Sequence, residues 1–266
     1  MNKFYNSNVK LWDELSLVHY DLKNKIGMSD NKKLMDIELK ELGDVTGKKI
    51  LHLQCHLGLE SIEMASMGAE VTGVDYSENA IRKARLMAQE FGVHVNFVCT
   101  SVEDMLGVAN EYYDIVFASC GTIMWIQDLN VWARQIALKL KRDGVFILID
   151  EHPFAAALKS DGDRLFVGYK YKTDPSKPYI TINEKSYIQE ADVSLSNIKQ
   201  MKWGHGVSGV LMNLLQNAIR IDKICEFKKT FYKMFDDMKC NSDGWWELDN
   251  NEFNVPLMFV VRGSKK

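Results

Sequence analysis

The 266-residue sequence has no apolar run near the length of a membrane span, no Cys-x-x-Cys pair, no internal repeat and no low-complexity tract. A bilayer core takes about 20 consecutive apolar residues, so no segment is read as crossing one. Met1-Asn2-Lys3-Phe4-Tyr5 lacks the basic-then-apolar layout of a secretory leader, and a cytoplasmic location is expected. Five cysteines, an odd number without that pairing, suit neither a disulfide framework nor a zinc site. Reduced thiols and no metal centre are expected. Surplus positive charge is also missing, because 33 Lys and Arg against 36 Asp and Glu leave a net charge of −3. Such a chain offers phosphate backbones no general attraction, so no nucleic-acid partner is expected. Apolar residues at 46% supply the core of one α/β domain with additions.

The most informative stretch runs from Ile50 to Asp75. Ile50 to Leu53 is a short apolar-rich strand, Gln54 to Gly58 a turn, and Leu59 to Gly68 a helix with apolar residues at mostly helical spacing. Gly68 ends that helix, and Val71-Thr72-Gly73-Val74 is a second, buried-type strand with Asp75 at its carboxyl end. An acid about 20 residues beyond such a turn is placed to bind a ribose. The unit is therefore a nucleotide-binding βαβ.

The turn lacks the glycines of a dinucleotide site. Gln54, His56 and Gly58 stand where three glycines would let backbone amides approach a pyrophosphate. Side chains at the first two positions crowd a diphosphate. S-adenosylmethionine, which has adenosine at one end, a zwitterionic amino acid at the other and no diphosphate, fits better than NAD.

Leu51-His52-Leu53-Gln54-Cys55-His56-Leu57-Gly58 resembles the variant first motif of a bacterial branch of the class I S-adenosylmethionine-dependent methyltransferases. Leu11-Trp12-Asp13-Glu14, Val71 to Ser77, Trp125 to Leu129, Glu151-His152-Pro153-Phe154 and Trp203-Gly204-His205-Gly206 resemble the same branch in the same order. Together these matches cover most of the chain. The resemblance implies a Rossmann-like, doubly wound sheet of seven mostly parallel strands with an antiparallel last strand. It also implies S-adenosylhomocysteine as product, and a cofactor set of Trp12, Gln54, His56, Gly58, Asp75, Tyr76, Ser101, Val102, Glu103 and Ser119. Ser101 and Val102 align with the adenine-binding corner; many relatives carry an aspartate at the first, so the contact is expected from Ser101 or, failing that, Glu103.

Residues 1–48 form an N-terminal helical segment in which Leu11, Trp12, Leu15, Val18 and His19 share one face. This is either a packed amphipathic helix or a lid whose Trp12 and Tyr5 face the sulfonium, since an aromatic face attracts a cation. Asn24 to Asn31 reads as a loop, and Ser77 caps a helix with the stripe Ala80, Ile81, Ala84, Met87 and Ala88. Val95 to Cys99 and Asp114 to Ser119 are further strands, and Ser119 to Thr122 mark where such folds place the transferred methyl. Asn130 to Lys141 is a helix, Arg142-Asp143-Gly144 a turn, and Val145 to Ile149 the fifth strand. Residues 49–154 and 201–266 make the core. Between them, 155–200 is a β-rich insertion in the same domain, with strands expected at Gly168–Lys172, Tyr179–Ile182 and Ser186–Val193. Val207 to Ala218 is a helix with Val210, Leu211, Leu214 and Leu215 inward, Ile219 to Phe227 a strand, Phe231 to Phe253 irregular, and Pro256 to Arg262 the last strand.

The expected chemistry is in-line attack by a small-molecule acceptor on the sulfonium methyl, which needs positioning and exclusion of water. A general base is needed only for an acceptor protonated at working pH. His152 and His205 are the candidates, with His19 third; each equally has a structural reading. Trp125, Trp203, Trp245 and Trp246 either line an apolar acceptor pocket or fill core. A non-catalytic module that binds the same cofactor stays open as the alternative. The sequence is silent on the acceptor, its accepting atom and the oligomeric state.

Overall fold

The structure is a computed structural model that describes residues 3–26, 34–182, 194–250, 252 and 254–266. Its elements in order are α1 (Lys3–Ile26), α2 (Asp36–Leu42), β1 (Lys49–Leu53), α3 (Leu59–Ser66), β2 (Glu70–Asp75), α4 (Glu78–Glu90), β3 (Asn96–Cys99) and β4 (Tyr113–Ser119). There follow α5 (Leu129–Lys139), β5 (Leu140–Glu151), α6 (Pro153–Ala156), β6 (Leu158–Asp161), β7 (Arg164–Val167), β8 (Tyr179–Ile182), β9 (Lys199–Lys202) and α7 (Val207–Gln216). The chain closes with β10 (Ile219–Phe227), β11 (Lys229–Thr230), β12 (Met238–Cys240), β13 (Trp246–Leu248) and β14 (Met258–Lys265).

Seven strands form the main sheet in the order β10-β14-β5-β4-β1-β2-β3. β1 to β5 run parallel, whereas β14 is antiparallel to both β5 and β10. Strand residues alternate faces, which divides the core in two. Ile50, Ile115, Phe117, Ile147 and Val260 pack with α3 and α4 on one side. Leu51, Val116, Phe146, Leu148 and Val261 pack with α5 and α7 on the other. Each fully buried aliphatic side chain contributes roughly 1.5–3 kcal/mol, so the frame beneath the strand ends is stiff. Reversal of strand order between β4 and β1 opens a crevice at their carboxyl ends, where open α/β sheets bind ligands.

α1 lies across that crevice. Asp13 accepts from the Ser77 hydroxyl at 2.6 Å and from the Asn79 amide at 3.2 Å, tying α1 to the start of α4. Glu14 accepts from the backbone of Ser196 and Asn197, and Asn8 is joined to Met201 of β9. Buried Leu11 and Leu15 meet Leu195 beneath the helix.

Several expectations are corrected in detail. α1 reaches Ile26, so the expected loop at Asn24–Asn31 begins as helix, and 27–31 lie outside the described residues. Arg142-Asp143-Gly144 is a bulge inside β5, where pairing slips between Tyr113–Leu140 and Ile115–Val145 and Asp143 takes φ 61°. Gly168–Lys172 is not a strand; the preceding hairpin β6–β7 is. Tyr169 instead stacks on Tyr179 at 5.2 Å. β8 pairs with β9, while the strand expected at Ser186–Val193 lies outside the described residues. The stretch from Phe231 is less irregular than expected, since β11, β13 and β12 form a small antiparallel sheet. In α7, Val210 and Leu214 are buried but Leu215 faces solvent.

Candidate active site

The β1–α3 turn keeps the backbone of a glycine turn without its glycines. Gln54, His56 and Gly58 all take left-handed φ, at 51°, 49° and 71°. For residues with a Cβ this conformation costs roughly 1–2 kcal/mol each, so other contacts must hold the turn. Gln54 Nε2 donates to the Thr122 carbonyl at 3.0 Å, and the His56 amide donates to Asp75 Oδ2 at 3.0 Å. His56 Nε2 lies 2.9 Å from His19 Nδ1 of α1. At Gly58 a Cβ would stand 2.5 Å from the Phe97 ring, so only glycine fits.

Asp75 ends β2 with both carboxylate oxygens engaged, because Oδ1 accepts from the Ser77 amide at 2.9 Å while Oδ2 holds the turn. Burial raises its carboxyl to about 6, partly countered by those amides. Tyr76 follows, and Tyr5 of α1 packs on it with ring centroids 5.2 Å apart. Tyr5 also hydrogen-bonds Ser101, so α1 covers the corner that the resemblance assigns to adenine.

Asp150, on β5, shapes the exit of β4. Its carboxylate accepts from the amides of Gly121, Thr122, Ile123 and Glu151 and from the Thr122 hydroxyl, all within 2.9 Å. Two further buried acids flank this loop. Glu38 of α2 accepts from the Met35 amide at 2.7 Å and from the Ser119 hydroxyl and Cys120 thiol, and burial with nearby Glu60 lifts it to about 7. Glu151 ends β5, and its Oε1 would stand 3.3 Å from a Cβ on Gly121. Burial and Asp150 raise Glu151 to about 7, against a hydrogen bond from Tyr232 and the charge of Lys202.

These groups surround a cavity of about 540 Å³, a size usual for small-molecule sites. Of the sequence-predicted residues, Trp12, Gln54, His56, Gly58, Asp75, Tyr76 and Ser119 line it together. Trp12 meets both His56 and Trp125 edge-on, each at 5.3 Å. Ser101, Val102 and Glu103 lie outside the lining. Ser101 is bonded to Asp104, and Glu103 accepts from the Asp128 amide at 2.9 Å.

Of the three histidines considered as bases, His152 and His205 lie outside the cavity lining, whereas His19 of α1 is part of it. His152 caps α6 by accepting from the Phe154 amide at 3.1 Å, and its Nε2 faces Glu226 at 2.9 Å. His205 lies 2.6 Å from the Ile126 carbonyl. Burial lowers both imidazoles, which favours the neutral, structural state. Trp203 and Trp245 are buried and bonded to the Pro175 carbonyl and to Asp36, and Trp246 packs in a separate cluster, leaving Trp125 alone of the four on the cavity wall. Sequence reading missed Glu38, Glu151, Lys202, Phe231 and Tyr232. For Glu151 there was a signal, since it is the last residue of a strand at the ligand-binding edge.

The residues present fit the methionyl and ribose parts of S-adenosylmethionine. Gln54 Oε1 is buried in the lining without a hydrogen-bond partner and suits an ammonium donor. Asp75, at the carboxyl end of β2 and in the cavity lining, suits ribose hydroxyls.

Residues 51–148 match the family described as Methyltransferase domain. Over 74 residues the chain is 42% identical to the ubiquinone biosynthesis O-methyltransferase of Shewanella sp. (strain ANA-3), covering 28% of this chain and 31% of that one. The chain thus spans about three-tenths of the length of the curated relatives it matches. Among solved structures, an S-adenosylmethionine-dependent methyltransferase from Mesorhizobium loti superposes with a TM-score of 0.60 at 18% identity, covering 85% of this chain and 94% of that one. Magnesium protoporphyrin IX methyltransferase from Synechocystis, with bound S-adenosylhomocysteine, gives 0.52 at 15% identity, covering 94% and 84%. Strand order and crevice are those of the class I S-adenosylmethionine-dependent methyltransferase fold, and residues 51–148 match its methyltransferase domain.

Proposed function

We propose that the chain transfers a methyl group from S-adenosylmethionine to a compact small-molecule acceptor. The observation that carries this reading is the single cavity running from Gln54, His56 and Asp75 to a second wall of Trp125, Glu151, Gln200, Lys202, Phe231 and Tyr232. Its two ends offer different chemistry within reach of the β4 exit. The donor supplies an electrophilic methyl on a positively charged sulfur. Gln54, Asp75 and Trp12 bind and orient it, and α1 together with β9 excludes water. Residues 155–200 act as an addition to the same domain, a role supported by Gln200 of β9, which lines the wall. The relative named as an O-methyltransferase supports a small acceptor.

Incubation with methyl-tritiated S-adenosylmethionine and a cell extract, followed by separation by size, tests the reading. Label is expected in the low-mass fraction. Label confined to macromolecules, or donor binding with no labelled product, would overturn it; the second result is what a non-catalytic module gives.

A further inference from the structure

We propose that Glu151, steadied by Tyr232 and Lys202, takes the proton from the acceptor, and that the acceptor is therefore a compact, uncharged aromatic hydroxyl compound. The inference rests on the methyltransferase reading and adds the accepting atom and the base.

Position is the first argument. Glu151 is the last residue of β5, its carboxylate lies against Gly121 at the β4 exit, and it lines the same cavity as Gln54 and Asp75. A base must lie within hydrogen-bond reach of the proton it removes, and this carboxylate borders the space where donor and acceptor meet. His152 and His205 are turned elsewhere, towards Glu226 and the Ile126 carbonyl, and His19, which does line the cavity, has its Nδ1 engaged 2.9 Å from His56 Nε2.

The surroundings set the acceptor class. Trp125, Phe231 and Tyr232 give the wall flat apolar faces. Glu38, Glu60, Asp75 and Glu151 share the lining with one lysine, Lys202, whose ammonium sits 5.2 Å over the Trp125 ring and acts on Glu151. That balance disfavours an anionic acceptor. A neutral amine or a thiolate attacks without a base, whereas a phenolic hydroxyl holds its proton at neutral pH and gains from one. A carboxyl that titrates at about 7 is part ionised at that pH and more basic than an exposed one.

The step balances. The acceptor oxygen forms a bond to the methyl carbon, the carbon–sulfur bond breaks with its electron pair left on sulfur, and the hydroxyl proton moves to Glu151. The carboxylic acid then releases that proton to solvent as product leaves.

The test uses the full chain with phenol, aniline and benzenethiol as probe acceptors, tritiated donor for transfer, and calorimetry for S-adenosylhomocysteine binding. Phenol should be the preferred acceptor, with kcat rising through a midpoint near pH 7. Glu151→Gln should lower kcat on phenol at least 100-fold and abolish that rise, while changing S-adenosylhomocysteine affinity less than twofold. Glu151→Asp should keep the rise at reduced kcat. Tyr232→Phe should move the midpoint upward, because the charged carboxylate loses a donor. Unchanged kcat and pH profile in Glu151→Gln would overturn the role of the base. Transfer to aniline or benzenethiol but not phenol, or to none of the three by a protein that binds S-adenosylhomocysteine, would overturn the acceptor class. Failure to bind S-adenosylhomocysteine at all would instead remove the methyltransferase reading, and the inference with it.

Discussion

Asn8 holds Met201 in both directions, its side-chain amide donating to the Met201 carbonyl at 2.8 Å and its Oδ1 accepting from the Met201 amide at 2.9 Å. Asn8 is only 2% exposed, so truncation leaves two backbone groups of β9 without their partner. Asn8→Ala should cost about 1–3 kcal/mol. Hydrogen exchange should then quicken in β9 and along α1, while β1, β4 and β5 keep their protection. In the unaltered chain, saturating S-adenosylhomocysteine should slow exchange across residues 5–20; identical traces with and without it would make α1 a packed helix only.

Asp75 faces the cavity and also holds the turn. Loss of a charged hydrogen-bond partner costs roughly 1.5–3 kcal/mol, so Asp75→Ala should weaken S-adenosylhomocysteine binding about tenfold or more by calorimetry. The same change frees the amides of His56 and Ser77, so the thermal midpoint should fall as well. Unaltered affinity in a folded variant would take Asp75 out of the site.

Glu38 predicts a pH effect of definite sign. Its carboxyl titrates at about 7 in the folded chain against 4.5 ordinarily. The folded state therefore holds an extra proton between those values, and this contribution is full below pH 4.5 and lost as pH rises through 7. Glu38→Gln is neutral throughout. It should match the unaltered protein in stability at pH 4.5 and exceed it at pH 8 by roughly 2–3 kcal/mol, as read from paired denaturation curves. A difference that stays flat over this range would show that Glu38 is ionised throughout.

Gly58→Ala should be among the most damaging single-methyl changes. The residue needs φ 71°, and its Cβ would collide with the Phe97 ring at 2.5 Å. Overpacking costs about 1–3 kcal/mol, to which the left-handed backbone adds about one more. Adding Phe97→Leu should recover part of the loss in thermal midpoint; no recovery would place the whole cost in the backbone.

Sequence was a good guide where structure is local and periodic. Ser77 caps α4 by accepting from the Ala80 amide, and Ala80, Ile81, Ala84, Met87 and Ala88 are all buried. A cap and a 3.6-residue stripe need only neighbouring residues. It was a poor guide where partners are distant. His152 resembles a site residue by its place after β5, yet its partner Glu226 is 74 positions away. Tyr169 and Tyr171 alternate like a strand, but one stacks on Tyr179 and the other accepts from the Val207 amide through its hydroxyl. The cavity wall of Glu151, Gln200, Lys202, Phe231 and Tyr232 draws on β5, β9 and the segment after β11, a convergence that no window of sequence displays.

α1 is bonded both to the start of α4 beside Asp75 and to β9 beside Lys202, so one helix borders both ends of the cavity. A shift of that one helix would therefore alter the donor half and the acceptor half of the cavity together rather than one at a time.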